Sequence, residues 1–285
     1  ITIIQLKLEG QLIERHPEWG MGKRDIFRMV DFDRGTVTID GSEYELLDKN
    51  FPTVCRKDPL SLTDAENELM SVLENSFMHS ERLNSHIRFL YSKGSMYKTI
   101  NGNLLFHGCI PLDENGQLQS VNIAGTDYSG KALLDKLDEI ANKAYFMQPG
   151  EEKDYAADYM WYLWSGARSP LYGKDKMAFF ERYFLDDKKL HKENYNAYYH
   201  FSEQAEVCGW ILEMFGLDPE RGHIINGHVP VKIKNGEKPV KAGGKLFVID
   251  GGISKAYQKA TGIAGYTLIY LSLIHISEPT RRVVI

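Results

Sequence analysis

His107 and His228 each close a short apolar run, Gly102-Asn103-Leu104-Leu105-Phe106-His107 and Gly222-His223-Ile224-Ile225-Asn226-Gly227-His228, and each stands beside a glycine where the chain turns. A β-strand that ends in a histidine is how α/β folds deliver an imidazole to a metal ion above a sheet edge. Two such strands can bring two imidazoles to one ion. Taken singly, each histidine has a plainer reading as a part-buried residue hydrogen-bonded to backbone. His223 lies five residues before His228, and in a strand that odd spacing points the two rings to opposite faces, so both are not expected on one ion. His79 and His86 fall on a helical stretch and read as ordinary polar helix positions.

The elements around these strands read as a mixture of helix and sheet. Residues 1–20 carry Ile3, Ile4, Leu6, Leu8, Leu12 and Ile13 at helical spacing up to the break at Gly20-Met21-Gly22. Residues 35–46 alternate around Asp40-Gly41, the signature of a type I′ hairpin. Thr63 with Glu66 three residues later reads as a capped helix start. The spacing Leu69, Val72, Leu73, Phe77, Leu83, Ile87, Phe89 and Leu90 then predicts one helix running to Gly94. Residues 96–107 read as one strand ending at His107, and Leu112 to Gly116 as a turn. Helices are expected over 129–146, 152–165, 176–185 and 202–215. The second of these holds Tyr155, Tyr159, Trp161, Tyr162 and Trp164, which read as core first, subunit packing second and sugar stacking third.

The 285 residues suffice for one large or two ordinary domains, and 43% hydrophobic content can supply a substantial core. A net charge of −5, with both signs mixed along the chain, leaves no electrostatic footprint for nucleic acid. Cys55, Cys109 and Cys208 are odd in number and include no Cys-x-x-Cys pair, which argues against a disulfide framework or zinc knuckle and for a reducing cytoplasm. No stretch reaches the roughly 20 apolar residues of a membrane span.

The segment His107-Gly108-Cys109-Ile110-Pro111 resembles the His-Gly-Gly-Leu-Ser-Pro stretch of metal-dependent phosphoesterases of the calcineurin type. Ile225-Asn226-Gly227-His228 is similar to their late Gly-His motif, and residues 245–252 stand where their closing strand belongs. Residues 164–177, 225–232 and 250–255 resemble one branch, the class III fructose-1,6-bisphosphatases of Firmicutes, and the resemblance extends over roughly residues 1–270. It implies an α/β fold, an incomplete calcineurin-like metallophosphatase in which a mixed β-sandwich is flanked by helices and carries helical insertions. The expected organisation is an insertion over 1–95 containing helix, hairpin and long helix. The later part of the phosphatase domain would span 96–270, with a helical insertion at 127–216.

The resemblance also implies the chemistry. Two divalent ions, Mn²⁺ in this branch, would hold a phosphoryl group for in-line attack by an oxygen nucleophile with no covalent enzyme intermediate. His107 and His228 would bind one of the ions. The Asp-x-His, Gly-Asp-x-x-Asp-Arg-Gly and Gly-Asn-His-Asp segments that complete such centres do not occur here, and Asp33-Arg34-Gly35 reads as a coincidental turn. The catalytic acid and remaining ligands are therefore expected in a preceding part of a longer protein, of which this chain would be an inactive fragment. Pro230 stands where many metallophosphoesterases carry a further histidine, a departure shared with the protein-phosphatase-like branch.

A sugar bisphosphate needs a second phosphate site, which cations build most simply. Lys232, Lys234, Lys238, Lys241 and Lys245 crowd the segment after His228, where Asn235-Gly236 suggests a hairpin and alternation puts Lys232 and Lys234 on one face. That face also reads as an ordinary solvated one. Arg168, Lys174 and Lys176 form a second set, with helix-end charge pairing as the alternative. Lys232, Lys241, Lys245, Arg168 and Lys174 are the substrate-binding candidates.

Residues 271–281 are similar to the translation of a transposase adapter used in preparing sequencing libraries. Residues 271–285 are accordingly read as a non-native tail, and His275 is given no role. Three functional readings follow: a part of a fructose-1,6-bisphosphatase, with a small sugar bisphosphate as partner and homo-oligomerisation left open; a part of another phosphatase of this fold, such as a protein phosphatase; and a non-enzymatic assembly segment.

Overall fold

The structure, a computed structural model, describes residues 1–271 and 274–280, with side chains described through residue 269. The segment read as a non-native tail, His275 included, lies outside the residues whose side chains are described. In chain order the first elements are α1 (Thr2–Arg15), α2 (Ile26–Met29), β1 (Val30–Asp31), β2 (Thr36–Ile39), β3 (Ser42–Glu45), α3 (Asp64–Met78) and α4 (Glu81–Lys93). Next come β4 (Tyr97–Ile100), β5 (Asn103–Phe106), β6 (Val121–Ile123), β7 (Thr126–Tyr128), α5 (Gly130–Phe146), α6 (Glu151–Ser165), α7 (Phe179–Phe184) and α8 (Tyr198–Phe201). The chain continues through α9 (Ala205–Met214), β8 (Ile224–Asn226), β9 (Val240–Lys241), β10 (Leu246–Val248), α10 (Lys255–Thr261), β11 (Gly265–Leu271) and β12 (Ile274–Thr280). These fall into two compact units, Ile1–Gly94 with Lys176–Asn194, and Ser95–Asp175 with the chain from Tyr195 onward.

In the first unit Asp40 and Gly41 both take positive φ, +47° and +81°, which closes β2 and β3 as a type I′ hairpin. Val37, Phe27, Leu46, Phe180 and Phe184 pack into its core, so α7, distant in sequence, completes the apolar cluster laid down by α1 to β3. Thr63 and Glu66 form a full capping box at the start of α3. The single helix expected over 63–94 is instead two. His79 ends α3, and the Ser80 hydroxyl accepts from Leu83 N–H to start α4, so a local cap overrides a continuous apolar spacing.

The second unit is built on a five-stranded mixed sheet in the order β4-β5-β8-β10-β9, parallel in the centre (β5, β8, β10) and antiparallel at both edges. Residues 96–107 are not one strand: Asn101 and Gly102, with φ of +53° and +76°, fold them into the β4–β5 hairpin. Alternation places Leu104, Phe106, Ile224, Leu246 and Val248 on one face, where Cys208, Ile211 and Leu212 of α9 and Tyr198 of α8 cover them. Helices α5 and α6 pack on each other, with Leu133, Leu137, Ile140, Tyr159 and Tyr162 buried. Of the aromatic residues of α6, Tyr159 and Tyr162 are core, while Trp164 is exposed. The hairpin expected at Asn235-Gly236 is a short 3₁₀ turn, and β9 pairs with β10 around Ala242–Gly244 instead. No described helix is long and apolar enough to cross a membrane.

Candidate metal centre

Strands β5 and β8 are parallel neighbours, with Leu104 opposite Ile224 and Leu105 opposite Ile225, so their carboxyl ends leave the sheet together. The pairing runs one step further, where Gly227 N–H donates to the His107 carbonyl at 3.0 Å. His228 then takes a φ of +66°, a left-handed conformation that costs a non-glycine residue about 1–3 kcal/mol and is found where the surroundings demand it. The turn swings the His228 ring towards β5, leaving its Nδ1 3.1 Å from His107 Nε2.

The protonation pattern follows from the partners. His228 Nε2 lies 2.7 Å from the Tyr172 carbonyl oxygen, which can only accept, so this nitrogen carries the proton and donates. Burial pushes the pKa of this imidazole below its usual value; His107 and Lys174 act in the same direction, against the Tyr172 hydrogen bond and Asp250. The ring is thus neutral, and its Nδ1 lone pair faces His107 and accepts from the Nε2–H there. A backbone carbonyl that fixes the tautomer and aims the opposite nitrogen is the usual outer support of a metal-binding histidine.

Beneath the pair lies Asn226, only 3% exposed. Its Nδ2 donates to the Gly108 carbonyl at 3.2 Å and to the Tyr198 hydroxyl at 3.0 Å, while its Oδ1 is buried without a partner. Cys109 N–H donates to the Pro170 carbonyl at 2.9 Å, tying the turn after His107 to the loop that carries Tyr172. Gly108 is required at this crossing, because a Cβ there would stand 2.3 Å from the Pro170 oxygen. Gly108→Ala is therefore expected to push the Tyr172 loop off His228, at a cost of about 1–3 kcal/mol. Urea unfolding together with the NMR signal of the His228 Nε2–H checks this; an unchanged midpoint and an unchanged signal would contradict it.

The other sequence candidates are dispersed. His223 precedes β8 and pairs through Nδ1 with Asn103 Oδ1 at 3.0 Å, so it is kept from His228 by lying at the opposite strand end, not by face alternation. Lys245, before β10, is also at that far end, where its ammonium donates to the Pro219 carbonyl at 2.6 Å and to that of Glu220. Lys232 and Lys234 are not on a strand, so the alternation argument does not apply to them; Lys234 donates to the Lys259 carbonyl. Arg168 donates to the Ser120 carbonyl at 3.3 Å. Lys174 sits over the rings of Tyr172 and Tyr195, at 5.6 and 5.5 Å from their centroids. Lys176 belongs to the first unit, bonded to Glu181 and the Leu190 carbonyl.

Lys232 and Lys241 come together in a cavity of about 260 Å³ beside Asn226 and Gly227, walled also by Tyr195, Tyr199 and Glu203. Lys241 is paired there with Glu203 at 2.7 Å. The tyrosines, Glu203, Asn226 and the Tyr172 carbonyl escape a sequence reading centred on histidines and cations. Asn226, two places before His228 in an apolar run, was the one legible signal, since a buried amide needs partners.

The pair fits a divalent ion as far as it goes. Nitrogens bound to one ion at about 2.0–2.1 Å lie about 3 Å apart, as these do. Accepting one would require His107 to shift its Nε2 proton to the other ring nitrogen. Among the described residues no group of three or more His, Cys, Asp or Glu is placed to hold a metal.

The chain is similar to known proteins over nearly its whole length. The chain is 55% identical over 273 residues to a protein of Clostridium botulinum (strain Alaska E43 / Type E3) named fructose-1,6-bisphosphatase class 3. Proteins of the same name from Clostridium tetani and Bacteroides fragilis are 56% and 55% identical. In each case 95% of this chain is aligned but 41% of the relative, so the chain spans about two-fifths of the length of the curated relatives it matches. No solved structure matches it. The sequence profile described as Firmicute fructose-1,6-bisphosphatase matches residues 1–277, and the chain belongs to that family.

Proposed function

We propose that this chain forms part of a metal-dependent phosphatase that hydrolyses fructose 1,6-bisphosphate to fructose 6-phosphate and phosphate, with Mn²⁺ as its metal and the cytoplasm as its compartment. The observation that carries the reading is the convergence of His107 Nε2 and His228 Nδ1 in a chain of this family. We further propose that the five-stranded sheet is one layer of a calcineurin-like sandwich, and that the remaining metal ligands and the acid that protonates the leaving oxygen come from outside these 285 residues.

When bound, a divalent metal supplies charge neutralisation at the phosphoryl group and activation of the attacking water. The chain's own residues do the rest of the positioning. The Tyr172 carbonyl keeps the proton on His228 Nε2 and so keeps Nδ1 available as a donor to metal. Asn226 locks the Gly108 turn, which sets where His107 leaves its strand. Lys241 and Lys232, in the adjoining cavity, offer cationic donors to the phosphate that is not hydrolysed. Lys174 stands near His228 as a further cation. Lys245 and Arg168, bonded to carbonyls elsewhere, have no part in this reading, nor do residues 271–285.

The test is phosphate release from fructose 1,6-bisphosphate with Mn²⁺ by a family-length protein carrying this sequence. A folded, metal-loaded protein that releases none sinks the proposal. Lys241→Ala is expected to raise KM about tenfold to a hundredfold, the worth of one charged hydrogen bond, and to leave turnover of a simple phosphomonoester unchanged. An equal loss on both substrates would remove Lys241 from the distal phosphate site.

A further inference from the structure

We propose that α3 and α4 are the arm through which two copies of this chain associate, by an isologous pairing in which α3 of each copy packs on α4 of the other. These helices bury almost nothing of their own: α3 buries only Glu66 and α4 no residue. Helices of 15 and 13 residues are at the length where isolated helices are marginal in water, so their stability must come from packing of an apolar face.

Such a face exists and is exposed. Leu69, Val72, Leu73 and Phe77 fall at i, i+3, i+4 and i+8 and form one stripe along α3. Phe77 is 64% exposed, and on α4 Phe89 and Leu90 are 68% and 63% exposed. At these exposures the six side chains present roughly 600–700 Å² of apolar surface, close to the approximately 800 Å² that each partner buries in a standard interface. Scattered exposed apolar residues need no explanation, but a row of them at helical spacing along α3, continued by Leu90 and Phe89 on α4, marks a helical arm built to be covered.

Charge identifies the occupant as a second copy. Helix α3 exposes Asp64, Glu68 and Glu74 and no Lys or Arg, its other acid Glu66 being buried against Lys7, whereas α4 carries Arg82, Arg88 and Lys93 against the single acid Glu81. One helix of the arm is acidic and the other basic, so the patch is complementary to itself. A two-fold axis sets each α3 against the partner's α4 twice over, as isologous interfaces require. The ionic rim would fix the register while the apolar stripe supplies the affinity.

Sedimentation velocity on the 285-residue chain tests this, with far-UV circular dichroism as the check on folding. The chain is expected to dimerise with a Kd on the order of micromolar. Phe77→Glu with Phe89→Glu, both at exposed positions, is expected to weaken association at least 100-fold at unchanged helix content. Glu68→Lys with Glu74→Lys, or Arg82→Glu with Arg88→Glu, is expected to weaken it about tenfold, and combining both sets to restore it, a reversal that loss of packing alone would not give. A chain that stays monomeric at about 100 µM with its helices intact, or an association indifferent to the Phe77 and Phe89 changes, would overturn the proposal.

Discussion

His107→Ala and His228→Asn are each expected to lower kcat/KM for fructose 1,6-bisphosphate by about 10³-fold or more in the family-length protein. The magnitude follows from the several kcal/mol that metal assistance contributes to phosphoryl transfer, at 1.36 kcal/mol per factor of ten. Asn is chosen at position 228 because the +66° φ there is strained for alanine but tolerated by asparagine, so that the variant removes the imidazole without also disturbing the turn. In the proposed centre both rings address one ion, so the double variant should lose little more than either single one, a non-additivity that separates shared ligation from two independent roles. Bound metal, measured by elemental analysis, should fall in parallel with activity. His223→Ala, at the far end of β8, should keep its metal. Full metal content and full turnover in His228→Asn would exclude that residue from the centre.

How much of this centre could be read from the sequence depends on what each step rests on. Strand ends are local: an apolar run closed by a histidine put His107 and His228 each at the carboxyl end of a strand, and the parallel pairing of β5 with β8 made it one edge. The tautomer of His228 is not local, because it is set by a carbonyl 56 residues away on a loop held by Gly108 and Pro170. The Asn-Gly dipeptide shows the same limit. Asn101-Gly102 makes a hairpin because β4 and β5 flank it with complementary strands, while Asn235-Gly236 ends a 3₁₀ turn because β9 finds its partner across Ala242–Gly244. In the first unit the apolar spacing over residues 69–90 ran through the break at His79 and Ser80, since periodicity reports which face is apolar and not where the backbone is capped. The lysines after His228 divide for a related reason: a run of cations is legible, but whether each ammonium meets a carboxylate, a carbonyl or a cavity is decided by tertiary neighbours, so Lys232 and Lys241 line one cavity while Lys245 donates to carbonyls.

Lys7→Met is expected to destabilise the first unit by about 3–5 kcal/mol, the cost of leaving one charge of a buried pair uncompensated. The Lys7 side chain is fully buried; its ammonium donates to Glu66 Oε2 at 2.7 Å and to the Thr53 carbonyl at 2.6 Å, linking α1 to the capped start of α3. Burial by itself would raise the Glu66 pKa, but the hydrogen bonds from Lys7 and the Thr63 N–H outweigh it and bring the carboxyl down to about 2. Because the folded value lies below the unfolded one, the pair's contribution is present above about pH 4.5 and is lost as pH falls through about 2. Urea unfolding at neutral pH should therefore separate wild type from Lys7→Met widely, and the gap should narrow in acid. Glu66→Gln added to Lys7→Met should recover part of the loss, since it removes the stranded charge while its side-chain oxygen still accepts from Thr63 N–H. A single Lys7→Met change that leaves the midpoint at neutral pH where wild type has it would show that the ammonium stabilises nothing, and that α1 is held by Leu6, Phe27 and their apolar neighbours alone.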